Sequence, residues 1–144
     1  MSPNCAENIV RYLHMKKLLA IVILGLLWCN TSFAGWTKVA TTAGTGDTTV
    51  YIDKKTIKKI GDKVIYKQLT SYKEPLRGSG GDVYSDIAVL EVNCTNNQAR
   101  FLDNTYYSGK MGSGSVIAED DSVSDWDYFA PGSVMGIVMK YVCK

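Results

Sequence analysis

Val83-Tyr84-Ser85-Asp86-Ile87-Ala88-Val89-Leu90-Glu91-Val92-Asn93-Cys94 reads as one long β-strand whose second half tells which side is buried. Ala88, Leu90, Val92 and Cys94 recur at period two and share a face, while Glu91 and Asn93 point the other way. A strand with one buried face needs neighbours and a cover. The neighbours read as Lys63 to Tyr72 before it, across the flexible turn Gly78-Ser79-Gly80-Gly81, and Ala99 to Tyr107 after it. Further strands are expected at Trp36 to Ala40, Thr48 to Ile52 and Ser115 to Ala118, all rich in β-branched and aromatic residues. Asp53, followed by Lys54-Lys55-Thr56-Ile57, reads as a one-turn helix or tight turn, because its carboxylate can accept from the backbone donors that follow.

The cover comes from the end of the chain. After Pro131-Gly132 the period changes: Ser133 can cap a helix, and Val134, Met135, Ile137, Val138, Tyr141 and Val142 form a broad apolar surface at helical spacing, ending at Cys143. The reading is an α+β fold, a mainly antiparallel sheet of about six strands with a C-terminal helix packed on one face.

The beginning of the chain is of another kind. Met15-Lys16-Lys17 is a short basic segment and Leu18 to Trp28 an uninterrupted apolar run. Cys29 to Ala34 is more polar, with small residues one and three places before Gly35. These are the three parts of a secretory signal peptide, residues 15–34, with cleavage expected after Ala34. The apolar run has 11 residues, well short of the roughly 20 that cross a bilayer. A lipoprotein reading of Cys29 is the main competitor, but lipid attachment needs a small residue just before the cysteine and Trp28 is bulky. Residues 1–14 precede a complete signal with its own methionine, which makes Met15 the expected start and the upstream segment a misplaced one.

Gly35 to Lys144 is then the expected exported domain, located in the periplasm or at the outer surface. It keeps two of the four cysteines, Cys94 and Cys143. In an oxidising compartment an even pair reads by default as one disulfide, which would fasten the terminal helix across the face carrying Leu90 and Val92. A two-cysteine metal site is the alternative, and it lacks partners because this segment contains no histidine. Of the sixteen basic and fourteen acidic residues, Arg11, Lys16, Lys17 and Glu7 fall in the removed part, leaving thirteen of each sign. A neutral domain has no global basic field, which argues against nucleic acid as a partner.

Few constellations carry chemistry. Gly109-Lys110-Met111-Gly112-Ser113-Gly114 fails the phosphate-loop spacing and reads as a hairpin turn needing positive φ. Glu119, Asp120, Asp121, Asp125 and Asp127 lack the alternating ligands and central glycine of a calcium loop, and read as a solvated acidic loop. Without histidine the usual Ser-His and Cys-His nucleophiles are excluded, and no metal or cofactor is called for. Two features suit a partner surface instead. Lys54, Lys55, Lys58 and Lys59 form a local basic patch fit for a sulfated glycan, a lipopolysaccharide phosphate or an acidic loop. The adjacent Tyr106 and Tyr107 cannot share one side of a strand, so one of them is available as a binding hot spot.

Nearly all of the segment from Gly35 onward resembles the surface-adhesin E-like proteins of Gram-negative bacteria. The resemblance is carried by the opening Gly35-Trp36, Val50-Tyr51-Ile52-Asp53 with Thr56-Ile57, and Tyr72-Lys73-Glu74-Pro75. It continues through Cys94, the run Tyr106 to Gly114, Trp126, Pro131-Gly132-Ser133 and Cys143. It implies an antiparallel sheet with a C-terminal helix, a Cys94–Cys143 disulfide, attachment to host extracellular-matrix proteins, and a possible homodimer. The family's naming member is lipid-anchored, whereas this chain lacks a usable lipidation box. The expected function is a non-enzymatic envelope binding module; the rival classes are a periplasmic structural or accessory protein without host ligand and, more distantly, a hydrolase built on the acidic loop.

Overall fold

The computed structural model describes residues 35–42 and 47–144. The expected mis-start and signal peptide, residues 1–34, lie outside the described residues.

Seven strands form one sheet: β1 (Trp36–Thr41), β2 (Thr48–Ile60), β3 (Lys63–Gly78), β4 (Gly81–Asn93), β5 (Gln98–Tyr107), β6 (Val116–Asp120) and β7 (Asp127–Tyr128). The first six follow one another across the sheet in chain order, every pair antiparallel, and β7 joins β5 beside β6. Short turns join β2 to β3 and β3 to β4. At Gly61 and Gly81 the backbone takes positive φ, which glycine adopts without steric cost. One helix, α1 (Val134–Val142), closes the chain.

The alternation read from β4 is the alternation observed. Ala88, Leu90 and Val92 are fully buried, and the register sets Tyr66 opposite Leu90 and Val64 opposite Val92 on β3. Val50 and Ile52 on β2 and Ala99 on β5 extend the same face. Onto it α1 lays Val138, Met139 and Val142. Each such side chain contributes about 1.5–3 kcal/mol on leaving water, an upper figure because the unfolded chain already hides part of it. Cys94 and Cys143 are bonded, with Cα atoms 5.8 Å apart, so the end of β4 and the end of the helix are covalently joined on that face.

The helix begins as expected. Ser133 Oγ accepts from Gly136 N at 3.0 Å and donates to Ala130 O at 2.7 Å. Its apolar surface is rotated from the expected one: Met139 is buried, whereas Ile137 is 45% exposed. A stripe centred on 138, 139 and 142 leaves 137 on its flank, about 100° round from 138.

Two further differences have local causes. No turn of helix forms at Asp53. Its carboxylate does accept from the backbone of Lys55, at 3.0 Å, but the chain stays in β2 as a bulge, the register slipping between Asp53 and Lys58. The Thr56 hydroxyl fills the gap by donating to Asp53 O and accepting from Lys67 N. The second difference is β7, two residues too short to leave a periodic signal in sequence. Among the described residues no helix is long and apolar enough to cross a membrane.

Candidate functional site

The bulge in β2 decides where the four lysines go. Lys59 pairs with Val64, a core residue, and so lies on the helix side; Lys58 pairs with Ile65 and lies on the other side. On the helix side, Lys59 Nζ donates to the backbone oxygen of Lys144, and Lys54 Nζ stands 5.9 Å from the Tyr141 ring centroid. Lys144 Nζ is 5.8 Å from the same ring. The structure thus splits the expected patch, bringing Lys54 and Lys59 to the C-terminal end of α1 and leaving Lys58 away from them. Lys55 is exposed within the bulge.

Beside this end of the helix is a cleft of about 430 Å³, lined by the Cys94–Cys143 disulfide, Asn97, Pro131, Met139, Lys140 and Lys144. Sequence reasoning missed Lys140 and Lys144 as members of the basic group. Lys140 in the last turn of the helix and Lys144 just beyond its end are placements the macrodipole already favours, so the sequence carried no separate signal for them.

Strand alternation also separates the two tyrosines. Tyr106 pairs with Asp86 and Tyr107 with Ser85, one on each face, and both are half-buried. On the helix face, beyond the apolar core, Tyr106 borders a buried polar row that the sequence reading did not anticipate. Tyr66 donates to Gln68 Oε1 at 3.1 Å, and Gln68 Nε2 donates to Thr70 Oγ1 at 3.5 Å. Thr70 is the cross-strand partner of Asp86, and the Tyr72 hydroxyl donates to Asp86 Oδ1.

Asp86 is 4% exposed. Burial drives its carboxyl up to about 6, against the hydrogen bonds from Tyr72 and Thr70, which favour the charged form. Burial, and then the neighbouring Asp86, push Tyr72 upward, and the same two causes raise Tyr106. These phenols are held neutral. A signal existed: Gln68, Thr70 and Tyr72 continue, at period two, the face that begins with Val64 and Tyr66. Next to the row is a smaller cleft of about 190 Å³ lined by Phe101, Asn104, Tyr106, Asp120, Ser122 and Ser124, where Asn104 Oδ1 is buried without a hydrogen-bond partner.

Among the described residues the other face carries no α-helix. The run Tyr107 to Gly114 folds back over it through one 3-10 turn at Lys110–Gly112, with positive φ at Met111 and Gly112 and, just beyond it, at Gly114. Ser85, fully buried, donates to Gly109 O at 2.5 Å and accepts from Gly112 N at 2.8 Å, pinning the turn against Leu69 and Ile87. Farther along this face Arg100 ion-pairs with Glu91 at 2.6 Å and stacks 4.6 Å from the Trp126 ring. Among the acidic-loop residues, Glu119 and Asp120 belong to β6 and Asp127 to β7, and Asp120 accepts from Ser122, which holds its carboxyl below the usual range.

Residues 36–144 match the family model described as surface-adhesin protein E. Among solved structures, the chain is similar to crystal form II of Haemophilus influenzae protein E, at 14% identity and a TM-score of 0.59, covering 78% of this chain and 90% of that one. It is also similar to protein E from non-typeable Haemophilus influenzae, at 14% identity and a TM-score of 0.56, covering 79% of this chain and 78% of that one. At this identity the likeness is one of fold. No curated protein matches the sequence.

Proposed function

The chain belongs to the surface-adhesin protein E family, and from that premise we propose that it is an exported, non-enzymatic binding module that contacts host extracellular-matrix proteins. The observation that carries this reading is the extent of the match: the family model spans the whole sheet, the helix and both disulfide cysteines. In this reading residues 15–34 are a signal peptide cut after Ala34, Met15 is the start, and the working domain is residues 35–144. Lys54, Lys55, Lys58 and Lys59 supply electrostatic contacts, and Tyr106 and Tyr107 supply amphipathic contact area at low entropic cost. Two domains pairing as a homodimer would double the contacts available to one matrix fibre.

A second reading is favoured by one specific observation. Trp28 before Cys29 leaves the signal without a usable lipid-attachment site, which favours a periplasmic accessory protein with no host ligand.

Protease treatment of intact and permeabilised cells, with the mass of the processed protein, separates the two. Digestion on intact cells is the expected result; full protection with a free Gly35 terminus would move the protein to the periplasm. Binding to immobilised matrix proteins then tests the residues. Tyr106→Ala and Tyr107→Ala are expected to weaken it, and the tyrosine contribution is wrong if neither does so while the fold is intact.

A further inference from the structure

We propose that the end of α1 is a binding site for sulfated polysaccharide, formed by Lys54, Lys59, Lys140 and Lys144 around Tyr141 and the cleft beside the disulfide. The proposal deepens the lysine half of the contact surface proposed above and names its ligand.

The three ion pairs among the described residues join Lys63 and Arg100 to Glu91 and Lys73 to Asp47, and none uses these four lysines. All four are exposed. The fold nevertheless gathers them from β2 and from α1 with its following residue. Lys54 and Lys144 stand near one ring, Lys59 reaches the backbone of Lys144, and Lys140 and Lys144 rim the cleft. At 5.8–5.9 Å the two ring contacts lie at the outer edge of the cation–π range, so both ammonium groups stay free to meet an anion.

Chemistry then selects the ligand. Lysine presents a mobile point charge with three donors, suited to scattered sulfate groups rather than to one planar anion read by a fork. Several such charges gathered at one end of a helix match a polymer with repeated anions. The cleft has the size of a small-molecule site. A membrane surface would need apolar side chains among the cations to enter the acyl region. Ile60, the most exposed large aliphatic residue among the described ones at 61%, pairs with Lys63 and so lies on the opposite face, leaving Ile137 alone on the helix. In a domain with balanced charge the attraction is local and falls steeply with salt.

The test is retention of the purified protein on immobilised heparin, with affinity for short heparin fragments measured in solution. Each exposed ammonium–sulfate contact is worth about two- to fivefold in affinity, so Lys54→Gln/Lys140→Gln/Lys144→Gln is expected to lose about ten- to a hundredfold. Lys67→Gln, exposed on the opposite face where Lys67 pairs with Val89, is expected to stay within about twofold by the same reasoning. Should the triple variant fail to fold, Lys140→Gln alone is expected to elute at lower salt. Equal binding of desulfated heparin, equal loss in Lys67→Gln, or tighter binding to phosphatidylglycerol vesicles than to heparin would each overturn the proposal. Matrix-protein binding by a wild-type protein that heparin does not retain would overturn this site alone. None of these readings depends on where the protein resides, so a failure of surface display is a separate result.

Discussion

Replacing Asp86 with asparagine is expected to stabilise the protein at neutral pH. The carboxyl is raised from 3.8 to about 6 by burial. At about 1.4 kcal/mol per pH unit, holding it ionised in the folded state costs about 3 kcal/mol. The sign follows from proton binding. Between these two values the folded protein holds a proton that the unfolded chain has released. The favourable contribution is therefore fully present below about pH 4 and is lost as pH rises through about 6. Asparagine keeps an oxygen for the Tyr72 hydroxyl, and its amide can donate to a Thr70 hydroxyl that turns to receive it. Tyr72 and Tyr106, which face Asp86, have raised pKa values and stay neutral across this range, so the difference between variant and wild type isolates one group. Urea unfolding followed by the fluorescence of Trp36 and Trp126 reads it directly. A gap of about 3 kcal/mol displaces the midpoint at pH 7 by about 2 M for a domain of this size, and the gap should close by pH 4. A gap of the same size at both pH values, or a variant less stable at pH 7, would refute the reasoning.

Two other substitutions test the helix. Cys94→Ser/Cys143→Ser releases a loop with 48 residues inside it, for which the chain-entropy model gives about 4 kcal/mol as an upper figure; a loss of about 2–4 kcal/mol in urea unfolding is expected, and under about 1 would mean that packing alone holds the helix. Gly136→Ala should reverse the usual helix preference. Alanine ordinarily gains about 1 kcal/mol over glycine in a helix, but here its Cβ meets the backbone of Ala130 and Pro131, so a net loss of about 1–3 kcal/mol is expected and any rise in melting temperature counts against the packing described.

What could be read in the sequence was the part governed by periodicity. Ala88, Leu90 and Val92 fixed a face, and Ser133 fixed the start of the helix, because each acts through neighbours two to four residues away. The bulge at Asp53 escaped the reading because the same Asx hydrogen bond serves a turn, a helix cap or a strand, and pairing with Lys67 and Ile65 on β3 decides among them. Strand alternation separates Lys58 from Lys59, and the bulge decides which of them joins Lys54 on the helix side, so a cluster contiguous in sequence was not contiguous in space. Lys140 and Lys144 joined the basic group through tertiary packing, which leaves no local pattern. The polar row from Tyr66 to Asp86 was hidden for a different reason: Gln68 and Thr70 look like solvent-facing strand residues until their parity is compared with that of Val64.

The order of the strands has a consequence for how the domain comes into being. Each of β2 to β6 pairs with the strand just made, so a chain emerging from its N-terminus can lengthen the sheet hairpin by hairpin. Cys94 then waits as a free thiol while the next 49 residues appear, Cys143 being the last of them. Until then the apolar face of Leu90 and Val92 is bare. The period of greatest risk, from a misdirected oxidant or from another nascent copy, falls in the interval between the closing of β4 on β3 and the landing of the helix. Slowing thiol oxidation should therefore lower the yield of folded protein more than the finished domain's stability would suggest.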